Sequence, residues 1–121
     1  MKRRRRIPPA VAAQIRQNVR SVRSAAHEVD RERLWSLLEE AHVLSQPWAL
    51  PHIKVHGVML LFAVRTRDVQ EVRGQLLRLL VAGPGSVSGK YPAGNIGRAN
   101  VPATQPMPIP EHLQALLDAG A

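Results

Sequence analysis

The sequence predicts an all-α protein, and its composition and hydrophobic patterning lead to that prediction. Of the 121 residues, 45% are hydrophobic but only 3% are aromatic, so the core must be built from Leu, Val, Ile and Ala. Leu and Ala are good helix formers. Apolar residues recur at spacings of three and four along four successive segments, as in amphipathic helices. We predict two antiparallel helical hairpins, arranged as a four-helix bundle or a tetratricopeptide-like pair, then a Pro/Gly-rich wrapping segment and a short C-terminal helix.

The first predicted hairpin joins a helix from Pro9 to His27 with a helix from Asp30 to Leu44. Pro9 suits a first helical turn because its missing N–H would have no partner there. Asp30 is a good N-cap, since its carboxylate can accept from the free N–H groups of the next turn. The spacing predicts a buried face made of Val11, Ile15, Val19, Val22, Leu34, Leu37, Leu38 and Ala41.

The second predicted hairpin joins a helix from Pro51 to Thr66 with a helix from Asp68 to Ala82. Gly57 lies inside the first of these helices, where glycine destabilises, and we expect a close helix–helix approach there. Asp68 and Glu71 have capping-box spacing. The run from Gly83 to Gly85 contains Pro84 and should end the last helix. The predicted buried face comprises Ile53, Leu60, Leu61, Val64, Val72, Leu76, Leu79 and Leu80.

Residues 83–110 hold five of the eight glycines and six of the ten prolines. Such a segment is too rich in helix breakers for regular structure, so we expect it to be irregular and to wrap across the helices. A short helix over residues 110–119 should follow. We predict a single helical domain over residues 9–121, preceded by a disordered basic arm over residues 1–8.

The charge and the apolar stretches bear on location and partners. The net charge is +8, and five of the positive charges lie in the arm. We expect contact with nucleic acid to be limited to non-specific attraction to this run, because no aromatic residue is interleaved for base stacking. The longest apolar stretch, Gly57–Val64, is too short to cross a bilayer, and no signal-peptide core follows the arm, so we predict a cytoplasmic protein. The basic run is Lys2, Arg3, Arg4, Arg5 and Arg6.

Three blocks in order carry a resemblance to a known family. They are Leu37–Pro47 (LLEEAHVLSQP), Pro51–Leu60 (PHIKVHGVML) and Gly94–Asn100 (GNIGRAN), the last followed by Pro106–Pro110 (PMPIP). The chain resembles a family of small bacterial proteins of unknown function, whose members are often encoded beside heavy-metal resistance and efflux genes. The resemblance implies a link to metal homeostasis or resistance, and it implies no catalytic residue.

Four side chains form a candidate metal site. Glu39 and His42 are three residues apart on one predicted helix, and His52 and His56 are four apart on the next, so each pair shares a helix face. The short connection from Ser45 to Leu50 makes the two helices antiparallel neighbours. Imidazole and carboxylate ligands suit zinc, iron, nickel or copper(II). Alternatively, the histidines are hydrogen-bonded parts of the core and Glu39 pairs with a basic side chain.

Two functions remain open at this point. We expect a non-enzymatic helical protein that acts by binding, either to a protein partner or as an accessory in metal homeostasis. The alternative is a metal-dependent enzyme that uses the Glu/His cluster, which would need an open coordination position and an accessible cleft. The sequence has no cysteine, and it lacks a nucleophile elbow, a phosphate-binding loop and an HExxH motif, so we assign no catalytic residue.

Overall fold

The computed structural model describes residues 6–25 and 30–119. Within these ranges the chain forms five helices and no strand, which confirms the all-α prediction. No helix in the described ranges has the length and apolar character that a membrane crossing requires. The predicted end of the first helix at His27 and residues 1–5 of the predicted arm lie outside the described ranges. The helices are α1 (Pro9–Ser24), α2 (Arg31–Ser45), α3 (Ala49–Arg65), α4 (Val69–Ser88) and α5 (Glu111–Ala119).

The helices contact one another in chain order, α1 with α2, α2 with α3, and α3 with α4, while α5 contacts both α1 and α2. The core is built from the apolar faces of α1, α2 and α3, and Leu113 of α5 is buried in it. Ile7, within the predicted arm, is partly buried against this core. From the described residues of α4, the partly buried Val72 packs against this core, and Ala82 is buried outside it. The side of α4 that lies inside the protein is therefore not its apolar side.

The first two helices follow the sequence pattern closely. Six of the eight predicted residues are buried and the other two, Val19 and Leu37, are partly buried. Asp30 caps α2 as predicted, because its carboxylate accepts from the N–H of Glu32 at 3.0 Å. Trp35 adds an edge-to-face contact with Phe62 of α3, with 4.9 Å between ring centroids. This aromatic contact stabilises the packing of α2 against α3.

The predicted buried faces of α3 and α4 are partly wrong. Leu61, Val64, Leu76 and Leu80 are each more than half exposed. The interior face of α4 is instead polar, with buried Glu71, Gln75 and Arg78 at spacings of four and three. These polar groups are hydrogen-bonded inside the protein, so their burial is tolerated. A stripe of leucines alone cannot show which face of a helix a polar site will occupy. Apart from Ala63, the buried side chains of α3 are His52, Val55, His56, Val58, Met59 and Phe62.

The predicted end of the fourth helix is also wrong, because α4 continues through Pro84 to Ser88. A proline inside a helix removes one backbone hydrogen bond. The turn beyond it is held from outside, since the buried Ser86 hydroxyl donates to the carbonyl of Gln46 at 2.7 Å. The helix ends at Gly89, which adopts a left-handed φ of 72°. The segment without regular structure is therefore 89–110 rather than 83–110.

Gly57 does not mark a close helix–helix approach. A Cβ atom built on Gly57 would meet nothing within 4 Å. The glycine faces a groove between α1 and α3 that is also lined by Ile15 and Val58. The expectation of tight packing at this position is therefore wrong.

Candidate metal centre

Three histidines meet in the interior, His42 from α2 and His52 and His56 from α3. Their Nε2 atoms form a triangle with sides of 3.0 Å (His42 to His56), 3.1 Å (His42 to His52) and 3.2 Å (His52 to His56). All three residues are buried, with 3%, 6% and 3% of their surface exposed in chain order. We call these residues the histidine triad. The i, i+4 spacing on α3 sets two of them on one face, and the α2–α3 contact brings the third to meet them.

Each ring has an oxygen partner at its other nitrogen, Nδ1, at a distance of 2.7 Å. The partner of His42 is the backbone carbonyl of Asn95, in the segment between α4 and α5. The partner of His52 is the Ser86 hydroxyl, and the partner of His56 is the side-chain carbonyl of Gln75, both on α4. Two parts of the chain, α4 and the segment that follows it, therefore orient the triad from outside.

Two of these partners fix the tautomer of their histidine directly. A backbone carbonyl can only accept, so Nδ1 of His42 must donate its proton to Asn95. The Ser86 hydroxyl gives its one proton to the carbonyl of Gln46, so it can only accept from Nδ1 of His52. In the neutral rings of His42 and His52, Nε2 therefore carries a lone pair and no hydrogen.

The tautomer of His56 is also fixed, but through a longer series of hydrogen bonds that begins at Gln75. The side-chain nitrogen of Gln75 donates to Glu71 at 3.1 Å and to the carbonyl of Gly97 at 2.9 Å. These two acceptors orient the amide so that its oxygen faces His56 and accepts from Nδ1. All three neutral rings thus turn a bare Nε2 lone pair toward one point. No hydrogen bond can link these nitrogens without a bound proton.

The irregular segment is held in place so that it can present the Asn95 carbonyl. The side-chain amide of Asn95 donates to the carbonyls of Pro102 and Gln105 at 2.9 and 2.8 Å. Its side-chain oxygen accepts from the N–H of Gly97 at 2.9 Å. Asn95 is 2% exposed, and its side chain is fully used in this local network. Its own carbonyl remains free to receive His42.

Two glycines of this segment are required by backbone geometry. Gly94 and Gly97 both have φ of +82°, which side chains rarely adopt. A Cβ on Gly94 would lie 1.8 Å from the Met107 carbonyl oxygen, and one on Gly97 would lie 2.6 Å from a ring carbon of His42. Gly97 therefore allows the backbone to approach the triad directly.

Burial lowers the pKa of every triad residue. For His42, burial and then the neighbouring His56 and His52 hold the pKa well below its ordinary value of 6.5. For His52, burial and then His56 lower the pKa to about 4. For His56, burial is again the largest cause of a lowered pKa, opposed in part by the hydrogen bond to Gln75. The triad is therefore neutral at pH 7, the state in which imidazole ligates metals.

These lowered pKa values predict a stability that decreases in mild acid. Between pH 6.5 and 4 the unfolded chain binds protons that the folded triad does not, so the free energy of unfolding must fall as the pH falls. His52 alone, moving from 6.5 to about 4, accounts for roughly 3 kcal/mol. Above about pH 7 its contribution is constant. Urea unfolding of metal-free protein from pH 7 to 4 measures the effect, and the His52→Gln variant should show a shallower decrease. Equal slopes for the two proteins would contradict it.

Glu39, the fourth residue of the predicted site, is not brought to the triad. Its carboxylate pairs with Arg98 at 3.3 Å, and its side chain is 25% exposed. Burial raises the pKa of Glu39, and the Arg98 charge opposes that shift. Among the residues that the structure describes, the three histidines form a group whose ligand atoms lie within 4.8 Å of one another. The structure thus brings three of the four predicted residues together and places Glu39 in an ion pair with Arg98.

Sequence reasoning missed the three groups that orient the triad. Gln75 could have been found from the polar series 71, 75 and 78 inside a leucine-rich helix. Ser86 and Asn95 carry no such signal. Ser86 follows the glycine and proline residues that were expected to end the helix, and Asn95 lies in an irregular segment.

The triad lies at the wall of a cavity of about 480 Å³. Arg78 and Lys90 bring positive charge to this cavity, and no Asp or Glu of the described ranges lines it. Leu80, Val81 and Tyr91 supply apolar surface. The histidines are therefore buried but not sealed away from a space that can hold a ligand.

The chain belongs to a protein family whose function is unknown. Residues 9–117 match the family model described as "Protein of unknown function (DUF3703)". No curated protein and no solved structure matches the chain.

Proposed function

We propose that this DUF3703 protein binds one divalent transition-metal ion, with zinc as the leading candidate, through Nε2 of His42, His52 and His56. One observation carries the proposal. Three unprotonated imidazole nitrogens are held within 3.2 Å of one another, and each is kept unprotonated by a hydrogen bond on the far side of its ring. Three lone pairs facing one another in a buried site repel, and a bound cation turns that repulsion into attraction.

The size of the triangle supports an ion of the zinc class. Its corners lie about 1.8 Å from its centre, close to the 2.0–2.1 Å of a zinc–imidazole bond. His42, His52 and His56 would supply three ligands to such an ion and leave one further position for a fourth. The nitrogens need little movement to reach these distances.

The surroundings of the triad also match those of metal-binding histidines. Ligating histidines commonly donate their second ring nitrogen to a carbonyl or carboxylate, which fixes the ring and makes the ligand more basic. Here Asn95, Ser86 and Gln75 take those roles. Imidazoles without thiolate favour zinc, nickel or copper(II) over copper(I), and copper(II) is the strongest competitor by affinity.

We place the function in binding, as an accessory in metal homeostasis. A metal-dependent enzyme remains the alternative, and the cavity beside a three-histidine site is the observation that favours it, since catalytic zinc keeps an open position. Catalysis at such a site would also use a general acid or base beside the metal, for which Glu and Asp are common choices. The described part of the cavity wall offers neither, so binding is the better-supported function.

The two-hairpin arrangement belongs to this proposal. The contacts of α1 with α2 and of α3 with α4 support it. In this arrangement the metal site joins the second helix of one hairpin to the first helix of the other, with α4 and the irregular segment closing over it. Metal binding would then stabilise the junction between the hairpins.

Calorimetric titration with zinc tests the proposal, and we expect one ion per chain. The Glu39→Gln variant should bind zinc within about twofold of the wild type, because Glu39 pairs with Arg98 and is outside the triad. The exposed His112, changed to Gln, serves as the matched histidine control and should also have no effect. A tenfold or larger loss in Glu39→Gln would restore Glu39 to the ligand set. Absence of zinc uptake by the wild type, with nickel and copper(II) also failing to bind, would refute the proposal.

A further inference from the structure

The cavity beside the triad has an unusual balance of charge. Arg78 is only 8% exposed, yet it lines this cavity together with all three histidines. Two of its nitrogens donate to the backbone carbonyls of Val101 at 2.8 Å and Gly74 at 3.2 Å. A guanidinium carries five N–H donors, so these two neutral partners leave donors available and its charge uncompensated by direct contact.

The acidic residue whose charge acts on Arg78 is already engaged by other partners. Glu71 acts on Arg78 through charge, but its carboxylate accepts from Arg98, from the N–H of Ala99 and from the amide of Gln75. Within the described ranges, no ion pair joins Arg78 to a carboxylate. Lys90 adds a second positive charge at the cavity. A divalent ion held by three neutral imidazoles would place two more positive charges in the same space.

We infer that the cavity takes a small carboxylic acid, whose carboxylate occupies the open position of the triad-bound ion and accepts from Arg78. This inference rests on the proposed metal binding. An anion at this place neutralises charges that would otherwise repel one another in a partly buried site. A guanidinium fork matches the geometry of a carboxylate, which makes Arg78 the natural second partner.

The other residues that line the cavity favour a carboxylate ligand with an apolar part over a fully polar anion such as phosphate. Leu80, Val81 and Tyr91 face the same cavity, as do Pro84 and Pro92. A volume of about 480 Å³ holds several non-hydrogen atoms beyond a carboxylate group. The ligand therefore has a carboxylate at one end and an apolar part that lies against these residues.

Cobalt(II)-loaded protein tests the inference, because its visible absorption bands change when the fourth ligand changes. Addition of hexanoate is expected to shift the bands in a saturable manner. Hexanoate should bind at least about tenfold more tightly than acetate, because its longer chain buries additional methylene groups. Inorganic phosphate should bind more weakly than hexanoate.

The variants separate the role of Arg78 from that of the metal. Arg78→Gln should lower hexanoate affinity at least about tenfold while cobalt affinity stays within about threefold. Arg78→Lys keeps the positive charge but loses the planar guanidinium, so it should give an intermediate loss of hexanoate affinity. This variant also tests the inference if Arg78→Gln fails to fold. Arg73→Gln, an exposed arginine of the same helix, is the matched control and should leave both affinities unchanged.

The outcomes distinguish the two proposals. If cobalt does not bind, the proposed metal site fails and the carboxylate site fails with it. If cobalt binds but hexanoate leaves the bands unchanged, only the carboxylate inference is overturned. Tighter binding of phosphate than of hexanoate, or equal hexanoate affinity in the wild type and both Arg78 variants, would also overturn it.

Discussion

Replacing any one histidine of the triad by alanine is expected to lower zinc affinity at least about 100-fold. Changing a residue that only orients a metal ligand already costs about 10–100-fold, so removing a ligand should cost at least as much. The loss should be similar for His42, His52 and His56, because their Nε2 atoms are nearly equidistant. Competition against a chelator of known affinity measures it.

Variants of the residues that orient the triad should lower zinc affinity by less than the histidine variants do. Ser86→Ala and Gln75→Ala leave the ligands in place but remove the partner of His52 or His56, so we expect losses of about tenfold. Zinc at 100 times its dissociation constant should stabilise the wild type by about 2.7 kcal/mol, and the three histidine variants should lose that increment. Retention of wild-type affinity by the folded His42→Ala, His52→Ala and His56→Ala proteins would contradict the three-ligand site.

Gly97→Ala is expected to destabilise the protein by roughly 2–4 kcal/mol and to weaken metal binding at the same time. The φ of +82° is unfavourable for alanine, and the new methyl would lie 2.6 Å from Cδ2 and 2.8 Å from Nε2 of His42. Either the backbone moves and takes the hydrogen-bonding network with it, or His42 moves away from the other two histidines. Urea unfolding of the metal-free protein and a zinc titration measure the two effects.

Gly57→Ala is the matched control for that substitution. Gly57 lies within α3, and an added methyl would meet nothing within 4 Å. We expect it to raise the free energy of unfolding by about 0.5–1 kcal/mol, because alanine loses less conformational freedom than glycine in a helix. Its zinc affinity should be unchanged. If Gly97→Ala were as stable and as zinc-competent as the wild type, close packing of the segment against His42 would be disproved.

The sequence could predict the triad because the relevant geometry is local. His52 and His56 are one helical turn apart, and a connection of three residues between α2 and α3 makes the helices neighbours, which brings His42 to them. Helix caps at Asp30 and Asp68 were predictable for the same reason, since each depends on two or three residues. Short-range spacing thus located most of the candidate site.

The groups that orient the triad could not be predicted because they depend on contacts between residues far apart in the sequence. His42 and Asn95 are 53 residues apart in the chain, and His52 and Ser86 are 34 apart. No period in the sequence links such positions. The contact of Glu39 with Arg98 was unpredictable for the same reason, since Arg98 lies 59 residues away and stacks 3.9 Å above Trp35. Glu39 is close to His42 in the sequence, but in the folded protein its carboxylate pairs with Arg98.

The polar interior face of α4 explains why the apolar pattern of this helix gave a partly wrong prediction of its buried residues. Gln75 and Ser86 must face α3 to hold His56 and His52, which turns Leu76 and Leu77 outward. The requirements of the site thus override the usual preference of apolar side chains for the interior. In this helix the departure from the hydrophobic rule coincides with the face that contacts the candidate site.

X-ray absorption spectroscopy of the zinc-loaded protein tests the central claim most directly, because it reports the type, number and distance of the atoms bound to the metal. We predict three imidazole nitrogens at about 2.0–2.1 Å, one further light-atom ligand, and loss of one imidazole in the His52→Ala variant. A zinc ion surrounded by oxygen ligands, without the outer scattering of imidazole rings, would contradict the claim that the triad binds the metal.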